Sequence, residues 1–539
     1  MRKTGARIIF NFMSDAKTGY NRTVTSLASQ AKQIYAERLC LIVILVFGLY
    51  ACQVSETADN KKNDLQDRIQ PYSENLHYLA WGDVPVFPLG PTSYHSWTLI
   101  SRPGTVDFIE QMDRLTAVIE EINSQHVVGF MRSLPYDPMN HLHDGHVEKV
   151  LQPWRHLEDG RYDLEYFEPE WEERFLDYLD AALDRGIVIA VEIWDDWSVT
   201  RGPGGEYDPG KGSAWNAHPF NPLNNINYDE DVLPVETAVC DAPFYSTIPS
   251  RYNIEPVLSL QKRYVDKILE IVSVYPNVII NISNESRAHL EWSRFWAAYI
   301  SENIPEGMMI GEMPSTNRVD GGGECEDEFS PLTLSTEPGY SFVDAAQGVS
   351  GHEFGDAREQ AIGGGLRMKE YRRVMTETGT VKPLIVSKDY TRGPDGGDIV
   401  LWSRFIGGAA AARFHRLGEQ HGPEISDFQH EAVMRLGAFI AQVPFWEMHP
   451  APDLLDDLPN TLDANVLASQ TGSMVIQLLG ENTGESRLSL NLDPGTWTVQ
   501  WIDPALGIEI DQFEITVQTQ PHHIDIPPEP EHRVLYIKP

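Results

Sequence analysis

The chain has few cysteines and few basic residues for its length. Four cysteines occur among 539 residues, and no two of them stand in a Cys-x-x-Cys pattern, which excludes a disulfide scaffold and argues against a structural zinc site. Lysine and arginine number 42 against 79 aspartates and glutamates, so the formal net charge is −37. Because gripping phosphate backbones requires an excess of positive charge, we expect no nucleic-acid partner.

Long hydrophobic runs are also scarce, with one exception near the amino terminus. Residues 39–51 form an apolar run, shorter than the about 20 residues of a membrane span and typical of a signal peptide. The sequence Leu-Tyr-Ala-Cys at 49–52 resembles a bacterial lipobox, whose cysteine is acylated. We predict a lipoprotein-type signal peptide over 1–52, a polar tether over 53–75, and an exported cell-surface or periplasmic protein that touches a membrane only through this lipid anchor. A short amino-terminal membrane anchor is the alternative.

What the rest of the chain contains is a regular alternation of apolar and amphipathic segments. Amphipathic stretches, among them 106–122, 170–185 and 255–275, separate eight short apolar runs that read as buried strands. This pattern predicts an α/β fold, a (β/α)8 TIM barrel over 76–455. The runs span 85–90, 127–131, 187–191, 278–281, 308–310, 341–343, 383–386 and 409–414.

The last part of the chain has a different pattern. Alternating apolar and polar residues recur there in short runs separated by turn residues, at 474–479, 486–492, 497–501, 513–517 and 532–537. Such spacing is typical of antiparallel strands. We therefore predict a small antiparallel β-sandwich domain over 456–539.

Carboxylates, histidines and indoles follow the predicted strands of the barrel. Barrel enzymes build their sites at the carboxyl ends of the strands, so these residues are the candidates for chemistry or binding. In chain order they are Trp97, Arg132, Glu192, Trp194, Trp197, Asn284, Glu285, Glu312, His352, Glu353, Lys388, Asp389, Tyr390, Arg413 and His415.

One of these segments resembles a known family. Residues 275–286, Tyr-Pro-Asn-Val-Ile-Ile-Asn-Ile-Ser-Asn-Glu-Ser, resemble strand four of the clan A (cellulase-like) glycoside hydrolases, and Arg132 and residues 382–387 match the same scheme. The resemblance implies a glycoside hydrolase in which Glu285 is the general acid/base and Asn284 hydrogen-bonds a sugar 2-hydroxyl. Residues 495–504 resemble the collagen-binding-type domain attached to such barrels, a name that is no evidence of collagen binding.

The second carboxylate departs from the family pattern. In clan A a nucleophilic glutamate follows the serine that ends strand seven, but here Lys388 and then Asp389 follow it. Asp389 serves only if the strand is shifted by one residue, and such a shift points a side chain to the other face. Glu353 is the rival, with Glu192 and Glu312 as further candidates. If Lys388 points into the site, it favours an ionised carboxylate beside it.

The remaining residues indicate how a sugar would be bound. Trp97, Trp194 and Trp197 offer rings that stack on sugar faces, although loop packing explains them equally well. Lys388, Arg413 and His415 indicate an anionic substrate group unless ordinary ion pairs neutralise them. The histidines at 141, 143 and 146 read as a polar loop, so we expect no metal and no cofactor.

Two functions follow from these residues. The first is an exported glycoside hydrolase that cleaves O-glycosidic bonds of a poly- or oligosaccharide with two carboxylates. The second is a carbohydrate-binding surface protein that keeps the barrel without a nucleophile, as the lysine at 388 permits. The sequence leaves the oligomeric state open.

Overall fold

The structure analysed is a computed structural model, whose described residues all belong to one compact unit, Lys62–Pro539. The described residues are 68–91, 109–113, 115, 117–123, 151–200, 215, 218–234, 242–315, 330–350, 355–389, 396–414, 425–482 and 486–539. Within these ranges, no helix combines the length and the hydropathy that crossing a bilayer requires.

The strands within the described residues fall into an amino-terminal set, a parallel set and a carboxyl-terminal set. In chain order they are β1 (Ile69–Pro71), β2 (Leu79–Trp81), β3 (Val84–Val86), β4 (Leu89–Pro91), β5 (Ile119–Asn123), β6 (Trp154–His156), β7 (Tyr162–Phe167), β8 (Val188–Asp195), β9 (Val278–Asn284), β10 (Ile310–Gly311), β11 (Val343–Asp344), β12 (Leu384–Val386), β13 (Ala411–Phe414), β14 (Met448–Pro450), β15 (Leu455–Asp457), β16 (Asp463–Ser469), β17 (Met474–Leu479), β18 (Arg487–Leu490), β19 (Gly495–Asp503), β20 (Ile508–Val517), β21 (His522–Asp525) and β22 (His532–Lys538).

The α-helices of the same ranges lie between the parallel strands and after the last of them. They are α1 (Pro169–Asp184), α2 (Asp196–Thr200), α3 (Glu255–Val272), α4 (Leu290–Asn303), α5 (Pro331–Thr336), α6 (Ala346–Val349), α7 (Ala357–Thr378), α8 (Gly396–Ile406) and α9 (Asp427–Ile440).

The parallel strands form two four-stranded sheets, in the orders β10-β9-β8-β5 and β11-β12-β13-β4. A parallel bridge between Leu89 and Val118 links β4 to the start of β5. At the opposite edges, the backbone N–H of Asp344 donates to the carbonyl of Glu312, just after β10, at 3.2 Å. Each of the eight strands therefore has a hydrogen-bonded neighbour on both sides, in the order of the chain.

The helices cover these sheets with their apolar faces. In α3, Val257, Tyr264, Val265 and Ile268 are buried, and this spacing places them on one side of the helix. The helix α1 ends at Asp184 and is followed by Arg185 and Gly186, whose φ of +66° lies in the left-handed region that favours glycine after a helix. The sequence pattern thus sets both the buried face and the end of a helix.

Strand β5 corrects the prediction for the second strand. The sequence pattern predicted a helix over 106–122 and a strand over 127–131, but residues 119–123 pair in parallel with β8. The spacing of the apolar residues was misleading because a charged residue, Glu120, is fully buried within the strand. Its carboxylate is paired with Arg413. Residues 127–131 and Arg132 lie outside the described residues.

The carboxyl-terminal strands form a six-stranded antiparallel sheet, in the order β14-β16-β17-β22-β19-β20, and a three-stranded sheet, β15-β18-β21. The five runs predicted at 474–537 lie in strands β17, β18, β19, β20 and β22. Strands β14, β15, β16 and β21 lie outside those runs, because they are short or follow no regular alternation.

Both faces of the six-stranded sheet are buried at its inner strands β16, β17 and β22, whereas the edge strand β20 is mostly exposed. Leu467 and Val475 belong to the apolar core that includes the helices, whereas Val466 and Ile476 pack with the three-stranded sheet. Successive side chains of a strand point to opposite faces, so these inner strands contribute side chains to both cores. Among the contacts that join the sheet to the helices, the Gln477 side chain donates to the carbonyl of Ile399 in α8 at 2.9 Å.

Candidate active site

The carboxyl ends of β8 and β9 lie side by side and place polar residues at the same level. The parallel register pairs Glu192 with Asn281, Trp194 with Ser283 and Asp195 with Asn284. The Asn284 side chain donates through Nδ2 to Asp195 Oδ1 at 2.8 Å, and the Ser198 hydroxyl donates to Asp195 Oδ2 at 2.8 Å. Burial raises the pKa of Asp195 to about 6, against the opposing effects of these hydrogen bonds and of Lys388.

Glu285 follows β9 directly and has an uncommon backbone conformation. Its φ of +46° lies in the left-handed region, which residues other than glycine rarely adopt. The next residue, Ser286, holds this turn by donating its backbone N–H to the carbonyl of Met313 at 2.8 Å. The side chain of Glu285 is 5% exposed. Strained backbone of this kind clusters at functional sites, because the surrounding structure must hold it in place.

Lys388, at the end of β12, points into this group. Its ammonium nitrogen lies 3.8 Å from Oε1 of Glu192 and 3.8 Å from Oε1 of Glu285. It also donates a hydrogen bond to Oδ1 of Asn284. The two carboxylate oxygens are therefore at most twice 3.8 Å apart. We call Glu192, Asn284, Glu285 and Lys388 the lysine cluster.

Asp389, the neighbour of Lys388, points away from the lysine cluster. Its carboxylate accepts from Arg404 Nε at 2.7 Å and Nη2 at 2.8 Å, and from the Ser350 hydroxyl at 2.7 Å. Arg404 belongs to α8 and is fully buried. The strand β12 ends at Val386, so both residues lie beyond it and its alternation does not set their directions. These contacts favour a structural role for Asp389, and its role as a nucleophile stays a prediction.

Glu312 is a further buried carboxyl group near the end of β10. It accepts from the Ser293 hydroxyl at 3.0 Å and from the Tyr340 hydroxyl at 3.4 Å. Complete burial raises the pKa of Glu312 to about 8, and these hydrogen bonds only partly oppose the shift. The group is therefore protonated at neutral pH, unlike an ordinary glutamate.

The tryptophans on this side of the fold pack with other aromatic rings. Trp194 is 1% exposed and has edge contacts with Phe220, Phe244 and Tyr264. Trp215 stacks on His218 with ring centroids 5.3 Å apart. These contacts favour the packing role, and sugar stacking by Trp194 stays a prediction.

The basic residues named in the sequence have carboxylate neighbours where the structure describes them. Arg413 Nη2 lies 2.5 Å from Glu120 Oε2, and both side chains are buried. Lys388 lies between two glutamates, as described above. These contacts agree with the ion-pair alternative for the two cations.

Several other predicted site residues lie outside the described part of the chain. They are Trp97, Arg132, His352, Glu353, Tyr390 and His415. Trp197 belongs to α2, but its side chain is not among those described. The four cysteines and the histidines at 141, 143 and 146 also lie outside. Their predicted roles stay predictions.

The contacts of Asp195 and Glu192 were not evident from sequence. The sequence pattern placed Glu192 after a strand ending at 191, but β8 continues to Asp195. Glu192 is therefore within the strand and fully buried, below Asp195 at its end. The run of apolar residues could not show this extension, because charged side chains that point inward do not continue an apolar pattern.

The lysine cluster combines the groups that acid/base chemistry on a glycosidic bond needs. It brings two carboxylates to one ammonium ion in a buried setting, where water screens their charges weakly. Two carboxylates that share a site do not ionise equally easily, so one can hold a proton while the other is charged.

Comparison with solved structures identifies proteins of similar fold. The chain is 12% identical to a protein described as a glycoside hydrolase, over 88% of this chain and 97% of the other, with a TM-score of 0.53. A glycoside hydrolase family 5 protein from Bacteroides vulgatus is 10% identical, over 88% of this chain and 93% of the other, with a TM-score of 0.54. No protein-family model matches the chain, and no curated protein matches its sequence. The chain thus shares the fold of solved glycoside hydrolases.

Proposed function

We propose that this protein is an exported glycoside hydrolase that cleaves O-glycosidic bonds of a poly- or oligosaccharide. The observation that carries the proposal is the lysine cluster, in which Glu285 and Glu192 lie on either side of the Lys388 ammonium at the ends of parallel strands. Support comes from the fold, which is shared with solved glycoside hydrolases. Because fold alone does not determine function, the argument rests on these side chains.

In the proposed reaction Glu285 gives a proton to the oxygen of the leaving sugar. The glycosidic bond breaks through a positively charged, oxocarbenium-like transition state, which a nearby negative carboxylate stabilises. While Glu285 holds its proton, the charges of ionised Glu192 and Lys388 cancel. As the proton passes to the leaving oxygen, the cluster gains one negative charge, which stabilises the positive charge that develops on the sugar in the transition state. Water then supplies the hydroxyl that bonds to the anomeric carbon, and its second proton returns to a carboxylate of the site.

The second carboxylate is proposed from the neighbours of Glu285. Glu192 shares Lys388 with Glu285, whereas Asp389 is engaged with Arg404. Glu353, which lies outside the described residues, remains the rival. Carboxyl groups about 5–5.5 Å apart retain the anomeric configuration and those about 6.5–9.5 Å apart invert it. The upper limit of twice 3.8 Å between Glu192 and Glu285 is compatible with either outcome.

A carbohydrate-binding protein without turnover is the second candidate. One observation favours it: lysine stands where clan A has its nucleophile, and the adjacent Asp389 is held by Arg404. In this case the lysine cluster would hydrogen-bond sugar hydroxyls without breaking a bond.

The proposal includes an architecture and a location. We propose that the eight parallel strands form a (β/α)8 barrel, because each has a neighbour on both sides in chain order. We propose a β-sandwich for the carboxyl-terminal sheets, because one apolar core lies between them. Export and a lipid anchor are proposed from the apolar run at 39–51 and Cys52 alone.

A substrate screen with one matched pair of variants tests the function. The full-length chain is incubated with neutral, uronate and sulfated polysaccharides, and both reducing-sugar release and binding are measured. Glu285→Gln should lose turnover by at least about 1000-fold and keep binding, whereas Glu302→Gln, an exposed glutamate of α4, should resemble the wild type.

Each other outcome of the screen has a definite meaning. Binding without turnover in the wild type selects the carbohydrate-binding candidate. Turnover that survives in Glu285→Gln removes the assignment of Glu285. A wild type that neither binds nor cleaves any carbohydrate contradicts both candidates.

A further inference from the structure

We propose that Asp195 is a positioning residue, which fixes the Lys388 ammonium between Glu192 and Glu285 through the side-chain amide of Asn284. This inference rests on the proposed function for its role in turnover. The chain of contacts runs from β8 through the end of β9 to the end of β12. Asp195 has no role in the clan A resemblance drawn from the sequence.

The orientation of the Asn284 amide is the central step. An ionised carboxylate only accepts hydrogen bonds, and an ammonium ion only donates them. Asn284 touches both, because Nδ2 donates to Asp195 at 2.8 Å and Oδ1 accepts from Lys388. The reversed amide would place NH2 against the ammonium and oxygen against the carboxylate. Asp195 therefore determines which end of the amide faces Lys388.

Lys388 needs such a fixed acceptor. A lysine ammonium is a point charge on a flexible four-carbon stem, so no covalent geometry holds it in one place. The two carboxylate contacts at 3.8 Å are longer than hydrogen bonds and do not define a direction. The Asn284 oxygen is within hydrogen-bonding distance of the ammonium, and this contact gives the charge a defined direction relative to Glu285.

Protonation of Asp195 would disturb this arrangement. The protonated acid has an O–H donor, which competes for the Asn284 oxygen that Lys388 uses. Burial places the pKa of Asp195 at about 6, so this change begins in mildly acidic solution. The charged groups that face it are Asp196 on α2, Lys388 after β12, and the neighbouring glutamates at 192 and 285. Asp196 is itself paired with Arg287.

Two substitutions separate positioning from simple structural support. Asp195→Asn keeps an oxygen that accepts from Asn284 but cannot titrate, whereas Asp195→Leu has a similar volume and no acceptor. On the substrate found in the screen, Asp195→Leu should lose kcat by about 10- to 100-fold, the loss expected for a hydrogen bond to a charged group. Asp195→Asn should recover only part of this loss, because its NH2 group, like the O–H of the protonated acid, can donate to the Asn284 oxygen. The acid limb of its pH–rate profile should move to lower pH than in the wild type.

Asp163→Asn is the matched control. Asp163 is likewise a buried aspartate that accepts from an asparagine amide, Asn227, but it belongs to the β6–β7 hairpin. Its replacement should leave the acid limb of the pH profile unchanged. If Asp195→Asn has the wild-type acid limb, or is as impaired as Asp195→Leu, the positioning role is overturned.

A crystal structure of the Asp195→Leu chain tests the same proposal without turnover. The Lys388 ammonium should leave its position between the two glutamates, and the Asn284 amide should rotate. If Nζ keeps both contacts near 3.8 Å, the proposal is wrong whatever the enzyme assay shows. If the wild type cleaves no carbohydrate but the ammonium moves, the proposed function fails and the positioning role stands.

Discussion

At the scale of single residues, the sequence predicted which residues belong to the site better than it predicted which of them contact each other. The sequence placed Asn284 and Glu285 after a strand, and Lys388 at the end of another, and the structure brings these three together. It named Glu192 as a candidate but could not show that Glu192 shares Lys388 with Glu285, because the partners of a buried charge depend on strands that are distant in sequence. Residues 388 and 389 lie beyond β12, so strand alternation does not predict that Lys388 enters the cluster and that Asp389 pairs with Arg404.

The backbone of Glu285 gives a prediction about stability. A residue other than glycine at φ +46° carries strain of about 1 kcal/mol or more. We expect Glu285→Gly to be more stable than Glu285→Gln, because both lose the charge beside Lys388 but only glycine relieves the strain. Thermal and denaturant unfolding of both variants measures the difference. A glycine variant that is less stable than the glutamine variant would show that the turn is not strained.

The buried carboxyl of Glu312 gives a prediction about pH. Its pKa is about 8 in the folded chain, against 4.5 as the ordinary value, so the folded state binds more protons between these pH values. The contribution of Glu312 to the free energy of unfolding is therefore fully present below pH about 4.5 and is lost as the pH rises towards 8. Glu312→Gln, which cannot ionise, should gain stability relative to the wild type over this window. Denaturant unfolding at pH 5 and pH 8 measures it, and a pH-independent difference contradicts the assignment.

At the scale of elements, β5 shows why the second strand was wrongly placed. Ile119 and Ile122 are both buried, a three-residue spacing that also suits a helix face. Glu120 lies between them with its carboxylate against Arg413, a partner nearly three hundred residues away. A pattern of hydrophobicity cannot reveal that a charge is paired inside the fold. The other strands were placed well because their inward residues are mostly apolar.

The Glu120–Arg413 pair predicts a strong coupling between β5 and β13. Removing one partner leaves the other charge buried, which costs about 3–5 kcal/mol, whereas apolar residues at both positions are often neutral. We expect Glu120→Leu and Arg413→Met each to destabilise the chain, and the double variant to recover most of the loss. The exposed Arg487–Asp525 pair, 63% and 83% exposed, is the control and should show little coupling. Additive losses at the buried pair would contradict the prediction.

At the scale of the whole molecule, the alternation of strands and helices predicted the parallel region and the change to antiparallel strands after it. What it did not predict is how the last sheet joins the rest. Apolar side chains lie on both faces of that sheet, and the pattern of apolar residues does not show which core each face packs against. The match to solved structures covers 88% of the chain, which extends beyond the parallel strands into this sheet.

Because the inner strands β16, β17 and β22 are buried on both faces, we expect the described unit to unfold in one step. Leu467 packs in the core that includes the helices, and Leu478 packs in the core shared with the three-stranded sheet. Each Leu→Ala change should cost about 2–5 kcal/mol. If the sheet couples the two cores, both variants lower the midpoint of the same single transition, because neither core keeps its packing when the sheet is lost. Scanning calorimetry distinguishes this from the alternative, in which Leu478→Ala creates an early second transition and leaves the main one in place.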